Sequence, residues 1–285
     1  MRLITYSHQG REAPGLWLEG DRVADLSGVA PSMQALIEGG PQMLAAARAL
    51  SPTLPLKDVQ LLAPIPRPRK NVFCVGRNYV EHVKEGARMG GGDGQLPEVP
   101  NFFTKAPTAV NAPGAPVRLD PKLTAFLDYE VELAVVIGKA GRDIPRDRAY
   151  EHVFGYTVAN DVTARDLQRR HLQWFKGKSL DTSCPLGPWI VTADEIGDPR
   201  TLELSLTVNG QERQRATVDM MIFDIPAIIE SLSGGITLEP GDVIATGTPS
   251  GVGYAMDPPQ GLKDGDVVVA KIDRIGELVS PIKAV

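Results

Sequence analysis

Cysteine is nearly absent from this chain of 285 residues: Cys74 and Cys184 are the only two, and they form no Cys-x-x-Cys spacing. A disulfide framework and a thiolate zinc site are thereby excluded, and the usage suits a reducing cytosol. Long apolar runs are missing too; the longest are strand-length, too short to cross a bilayer as a helix. The opening Met1-Arg2-Leu3-Ile4-Thr5-Tyr6-Ser7-His8 lacks the apolar run of a signal peptide. Basic charge is not clustered: Lys and Arg are scattered and the formal net charge is -5, which leaves no electrostatic footprint for nucleic acid. There is no internal repeat, no GxGxxG and no GxxxxGK[ST], so no nucleotide site is supported. These absences predict a soluble cytoplasmic protein without a nucleic-acid or membrane partner.

Glycine and proline, by contrast, are plentiful, with 29 and 24 residues. Short strand-like runs cover Leu3 to Tyr6, Gly15 to Leu18 and Arg22 to Leu26, with Glu19-Gly20-Asp21 as a hairpin turn. Ser32 to Ile37 and Pro41 to Leu50 read as short helices. Pro52, Pro55, Pro64, Pro66 and Pro68 then interrupt any helix or central strand, which places a boundary between a small N-terminal α/β unit (1–66) and a larger domain (67–285). The larger part alternates strands over 71–75, 129–137, 152–159, 202–208, 211–217, 243–246 and 267–273 with helical patterns over 79–86, 163–174 and 225–232. Asn209-Gly210 is a strong type I′ hairpin signal. The fold class expected is α+β and strand-rich, a mixed β-roll or sandwich with few helices.

One segment carries chemistry. In Asp128-Tyr129-Glu130-Val131-Glu132-Leu133-Ala134-Val135-Val136-Ile137, side chains alternate. Tyr129, Val131, Leu133, Val135 and Ile137 make one apolar face; the other carries Asp128, Glu130 and Glu132 before turning apolar at Ala134 and Val136. Burial on both sides would press two carboxylates together in low dielectric, a penalty that a divalent cation removes. The same pattern also fits a solvated edge strand. Downstream, an apolar strand ends in Asn160-Asp161. Thr163 and Asp166 fit a capping box, which gives Asp166 a structural task and leaves Asp161 as a third ligand or as plain turn chemistry.

A second segment, Gly76-Arg77-Asn78-Tyr79-Val80-Glu81-His82-Val83-Lys84-Glu85, reads as a helix capped by Asn78 with Glu81 reaching back. His82 and Glu85 share a face, as a surface ion pair or as an imidazole oriented by a carboxylate for work as a base. Gly86, Gly90, Gly91, Gly92 and Gly94 follow, the composition of a mobile lid or of an inconsequential insertion. Two further clusters, 176–188 and 245–253, offer a Lys to stabilise an enolate and glycine-turn N–H groups to hold a carboxylate.

Together these segments resemble the fumarylacetoacetate hydrolase family. The matching text is Gly-Arg-Asn-Tyr-x-x-His at 76–82, Asp-Tyr-Glu-x-Glu-Leu-Ala at 128–134 and Asn-Asp-x-Thr-Ala-Arg-Asp-x-Gln at 160–168. Gly-Lys-Ser at 177–179 with Cys-Pro-Leu-Gly-Pro, and Thr-Gly-Thr-Pro-x-Gly-Val-Gly at 246–253, complete it. The resemblance implies a mixed β-sandwich roll, a homodimer, and Mg²⁺ or Mn²⁺ held by Glu130, Glu132 and Asp161. It implies His82 with Glu85 as a lid dyad, Lys178 as a catalytic cation, and Arg77, Tyr79, Arg165, Gln168 and Thr248 around the substrate. Larger members have a further acidic ligand upstream of the His; Phe73-Cys74-Val75-Gly76 offers none, so three protein ligands are expected.

The chemistry so implied is hydrolysis of the C–C bond of a 2,4-dioxo acid, an acylpyruvate such as fumarylpyruvate or maleylpyruvate, with pyruvate leaving as an enolate. Oxaloacetate decarboxylation and isomerisation or hydration of muconate-type acids use the same metal–enolate chemistry. Phosphoryl transfer is disfavoured by the missing P-loop and Arg/Lys clamp. A non-catalytic metal-binding protein is the remaining alternative.

Overall fold

The computed structural model describes residues 1–88 and 94–285. The expected strand-rich α+β architecture is observed. Among the described residues a large mixed sheet runs, in spatial order, through 54–55, 22–25, 11–18, 2–8, 184–192, 153–160, 131–137, 243–245, 72–76 and 101–105. A second, smaller sheet runs through 211–217, 203–208, 267–272, 276–284 and 117–119. The N-terminal strands extend the large sheet, because Arg2–His8 pairs antiparallel with Cys184–Thr192.

The strand Val131–Ile137 lies at the centre, and all seven of its residues are buried. Val131, Leu133, Val135 and Ile137 pack into a core shared with Leu204, Leu206, Val268 and Ala270 of the small sheet. Ala134 and Val136 face the opposite way, into a core with Leu36 and Ile37 of the N-terminal helix Met33–Glu38. The N-terminal unit therefore covers the second face of this strand, and burial on both sides follows.

Several local expectations are corrected. The run 129–137 is not one strand: Leu127–Asp128 pairs with Thr163–Ala164, and the long strand starts at Val131. In the gap, side chains replace ladder partners, with the Glu130 N–H donating to Asn160 Oδ1 and the Val131 N–H to Gln214 Oε1. The helix expected over 163–174 is two short pieces, Arg165–Arg170 and Phe175–Lys178. Thr163 is taken by the strand pair, so no capping box forms. Asp166 instead accepts from Thr124, Ala125 N–H and Leu167 N–H. Asn78 is no helix cap either: buried, it donates to the carbonyls of Phe223 and Thr246 and accepts from the Phe223 N–H.

The Cys-Pro-Leu-Gly-Pro text, which the expected strand positions leave out, is a buried central strand, Cys184–Thr192. Its prolines lack the N–H that a regular ladder needs, and the pairing with Val153–Asn160 is irregular between Tyr156 and Val158. The hairpin at Asn209-Gly210 is as expected, with φ of 52° and 78°. Gly90, Gly91 and Gly92 of the anticipated lid lie outside the described residues.

Candidate metal centre and substrate cavity

Glu130 and Glu132 stand at the start of the central strand, and the neighbouring strand Val153–Asn160 runs antiparallel to it. That pairing ends with Val131 opposite Asn160, and the Asp161 N–H donates to the Glu130 carbonyl at 2.8 Å. The corner turns Asp161 toward the pair. One carboxylate oxygen from each of Glu130, Glu132 and Asp161 lies within 4.8 Å of the others, and all three residues are buried.

Three buried cations share the space. Lys105 Nζ bonds Asp161 Oδ1 at 2.6 Å, and Lys178 Nζ bonds Asp161 Oδ2 at 2.6 Å and Glu130 Oε2 at 2.7 Å. Arg165 pairs with Glu130 at 2.7 Å and with Asp128 at 2.9 Å. Burial opposes ionisation of Glu130, but Lys178 and Arg165 outweigh it and hold this carboxyl well below the usual carboxylate range. Burial likewise works against the charge on Lys178, and Asp161 with Glu130 reverses the balance, keeping it an ammonium.

Glu132 is different. Among the described residues its carboxylate has no cationic partner at ion-pair distance, only the Gly247 N–H at 2.9 Å. Burial first, then Asp161 and Glu130, push its carboxyl well above the usual range. Like charges ~4 Å apart repel by about 4 kcal/mol at an effective dielectric of ~20. A buried cluster of hard oxygen donors with one unbalanced member fits a divalent cation such as Mg²⁺ or Mn²⁺. Cys74 and Cys184 are buried near the same groups, and burial pushes the Cys184 thiol up to about 12 and Cys74 up as well, so neither offers a thiolate.

His82 sits on the helix Val80–Arg88, where Nδ1 meets Glu85 Oε1 at 2.8 Å. Glu85 is buried and accepts from the Gly251 N–H at 2.9 Å. The glycine turn at 246–253 thus does bind carboxylates, but the protein's own: Gly247 serves Glu132, Gly251 serves Glu85 and Gly253 serves Asp128. Gly247 is needed at its position, since its φ is +106° and a Cβ would lie 2.7 Å from Asn78 Cβ.

Two connected cavities rise from the carboxylates. The inner one, about 50 Å³, is lined by Glu130, Glu132, Lys178, Thr248, Phe103 and His82 among others. The outer one, about 320 Å³, shares Arg77, His82, Arg165, Gln168 and Trp174 with it and continues to Arg169, Val252 and Tyr254. Arg165 Nη1 donates to Gln168 Oε1 at 3.2 Å, and Thr248 Oγ1 accepts from Gln214 at 2.8 Å. His82, Lys178, Arg77, Arg165, Gln168, Thr248 and two carboxylates therefore converge. Tyr79 does not. It is buried off both cavities, and its hydroxyl has no hydrogen-bond partner among the described residues.

Residue patterns alone missed Lys105, the packing of Trp174 on Phe103 (centroids 5.4 Å apart) and the role of Asp128. Asp128 is on the carboxylate face, as alternation predicts, yet it anchors Arg165 and the N–H groups of Gly253 and Tyr254. Gly76 signals the aromatic wall: a Cβ there would lie 2.4 Å from the Trp174 ring.

The family model described as fumarylacetoacetate (FAA) hydrolase C-terminal matches residues 71–283, and one described as Rv2993c-like, N-terminal, matches 1–64. The chain is 52% identical over 227 residues to oxaloacetate tautomerase YisK of Bacillus subtilis (strain 168), covering 80% of this chain and 74% of that protein. It is 41% identical over 295 residues to the mitochondrial oxaloacetate tautomerase FAHD2A of Homo sapiens, covering 99% and 91%. Among solved structures, the fumarylacetoacetate hydrolase of Exiguobacterium antarcticum superposes with a TM-score of 0.87 at 42% identity over the whole of both chains. The maleylpyruvate hydrolase of Sphingobium sp. SYK-6, in complex with manganese(II) and pyruvate, superposes with a TM-score of 0.82 at 32% identity, covering 100% and 99%. With these matches, the carboxylate cluster and the two-sheet roll have one common reading: this chain belongs to the fumarylacetoacetate hydrolase family.

Proposed function

We propose that the protein interconverts the keto and enol forms of oxaloacetate, using a divalent cation at Glu130, Glu132 and Asp161. The observation that carries this reading is the convergence of an oriented imidazole, a buried ammonium and the carboxylate cluster on one small inner cavity. The names of the relatives support the substrate. When bound, Mg²⁺ or Mn²⁺ supplies Lewis-acid stabilisation of negative charge at a 2-oxo oxygen.

The chain's own groups do the rest. Glu85 occupies His82 Nδ1, which leaves Nε2 as the nitrogen that takes a proton from C3 of the oxo acid or returns it. Lys178 remains an ammonium and stabilises charge as it develops at the enolate oxygen. The inner cavity has room for the reacting end alone, so the tail extends into the outer cavity.

Hydrolysis of an acylpyruvate is the second reading, and the His82–Glu85 pair favours it, because the same base would activate a water for attack on a 4-carbonyl. The two readings separate on a panel of oxaloacetate, fumarylpyruvate and maleylpyruvate with Mg²⁺ and Mn²⁺, following enol absorbance and pyruvate release independently. Tautomerisation predicts fast loss of oxaloacetate enol without matching pyruvate, reduced about 10²–10⁴-fold by His82→Ala. Stoichiometric pyruvate from a dioxo acid, at the higher kcat/KM, would replace it with hydrolysis.

A further inference from the structure

The outer cavity contains cations that the chemistry above does not use. The helix Arg165–Arg170 presents Arg165, Gln168 and Arg169 at i, i+3 and i+4, on one side, and all three line this cavity. Arg165 is consumed by Asp128 and Glu130 at the inner end. Arg169 is not: among the described residues it pairs with no carboxylate. Its guanidinium donates to the Tyr254 hydroxyl and lies 5.6 Å from the centroid of that ring.

Tyr254 is itself fixed. Its ring meets Phe126 edge-on at 5.1 Å, and its N–H donates to Asp128 Oδ2 at 3.0 Å. Asp128 also receives Arg165 Nε, so a single buried carboxylate ties the Tyr254 turn to the helix that carries Arg169. Arg77, on the same cavity, likewise has no carboxylate partner among the described residues and donates to the Gln95 carbonyl at 3.0 Å. The cavity thus has a charge gradient. Its inner end holds the carboxylates; its outer end holds guanidinium groups that meet no counter-charge among the described residues, one of them preoriented by an aromatic clamp.

We propose that Arg169, held by Tyr254, recognises the second, distal carboxylate of the substrate and so selects dicarboxylic oxo acids over monocarboxylic ones. This rests on the reading that a 2-oxo acid places its reacting end in the inner cavity. A planar guanidinium matches a carboxylate in a two-point geometry, which a neutral ester at the same position cannot exploit. Arg169 is a specificity residue: it contacts the tail and takes no part in proton transfer.

The test uses binding without turnover. 3,3-Difluorooxaloacetate has no hydrogen at C3 to exchange, and its 4-methyl ester differs in lacking the distal charge. Affinities for both are measured by calorimetry on the full-length Mn²⁺-loaded chain, alongside oxaloacetate turnover. The wild type should bind the dianion about 10- to 100-fold more tightly than the ester, the scale of a charge-assisted pair. Arg169→Ala should remove that ratio through loss of dianion binding, Arg169→Lys should retain part of it, and Tyr254→Phe should fall between. An unchanged melting profile for these variants, and ester affinity within about twofold of the wild type, separates recognition from general damage. An equal loss on both ligands, or a ratio that survives Arg169→Ala, overturns the proposal. A charge-dependent ratio without oxaloacetate turnover upholds Arg169 and refutes the tautomerase reading instead.

Discussion

Glu132 is set apart from its neighbours by what balances its charge. Glu130 and Asp161 both hold Lys178, whereas among the described residues Glu132 has only a backbone N–H. It is therefore the carboxylate with most to gain from a divalent cation. Glu132→Gln preserves shape and the acceptor for Gly247 while removing the charge. Calorimetric Mn²⁺ affinity should fall by more than the roughly 10–100-fold that loss of an outer-shell partner causes. An unchanged affinity would assign the cation to other residues. The alternation of residues 128–136 made Glu130 and Glu132 legible from sequence. Lys105 was not, because its bond to Asp161 spans 56 residues and no local pattern encodes it. Tyr79 was misplaced for a related reason: a motif identifies a residue, but packing decides which way its side chain faces.

At the scale of elements, two carboxylates tie short helices and turns together where no ladder does, the buried Asp128 and the half-buried Asp166. Asp128 fastens Arg165 to the turn at 253–254, and Asp166 fastens the start of the Arg165 helix to the segment at 124–125. Burial raises the Asp166 carboxyl, but its bonds to Thr124, Ala125 and Leu167 prevail, and it titrates below its ordinary value. A depressed carboxylate stabilises the fold above its unfolded pKa, and that contribution is lost as pH falls through the folded one. Asp166→Asn should therefore cost about 1–2 kcal/mol near neutral pH, in line with loss of charged hydrogen bonds to the backbone. The gap to the wild type, read from denaturant midpoints, should close below pH ~4. A gap that stays constant into acid would show that the charge is not what Asp166 contributes. The local signal, Thr163 with Asp166, pointed to a capping box because the pairing of Thr163 with Asp128 lies 35 positions away in sequence and is invisible to a four-residue window.

On the scale of the molecule, the N-terminal unit and the small sheet enclose the two faces of one strand, and the site opens at the end of that strand. The strand-rich class, the hairpins and most strand positions were legible because they depend on alternation and turn residues. The buried strand Cys184–Thr192 was not, since a strand covered on both faces loses its alternation and its prolines imitate a loop. Among the described residues no helix is long and apolar enough to cross a membrane. In the proposed reaction, enolisation of a 2-oxo acid depends on a cation at this buried cluster. The most direct test of that dependence is the rate of oxaloacetate enol loss, followed by ultraviolet absorbance, in the Mn²⁺-loaded chain and after chelation. Enol loss should be strongly accelerated, chelation should abolish the acceleration and added Mg²⁺ or Mn²⁺ should restore it, with no restoration in Glu132→Gln. An enol-loss rate that chelation leaves unchanged would contradict it.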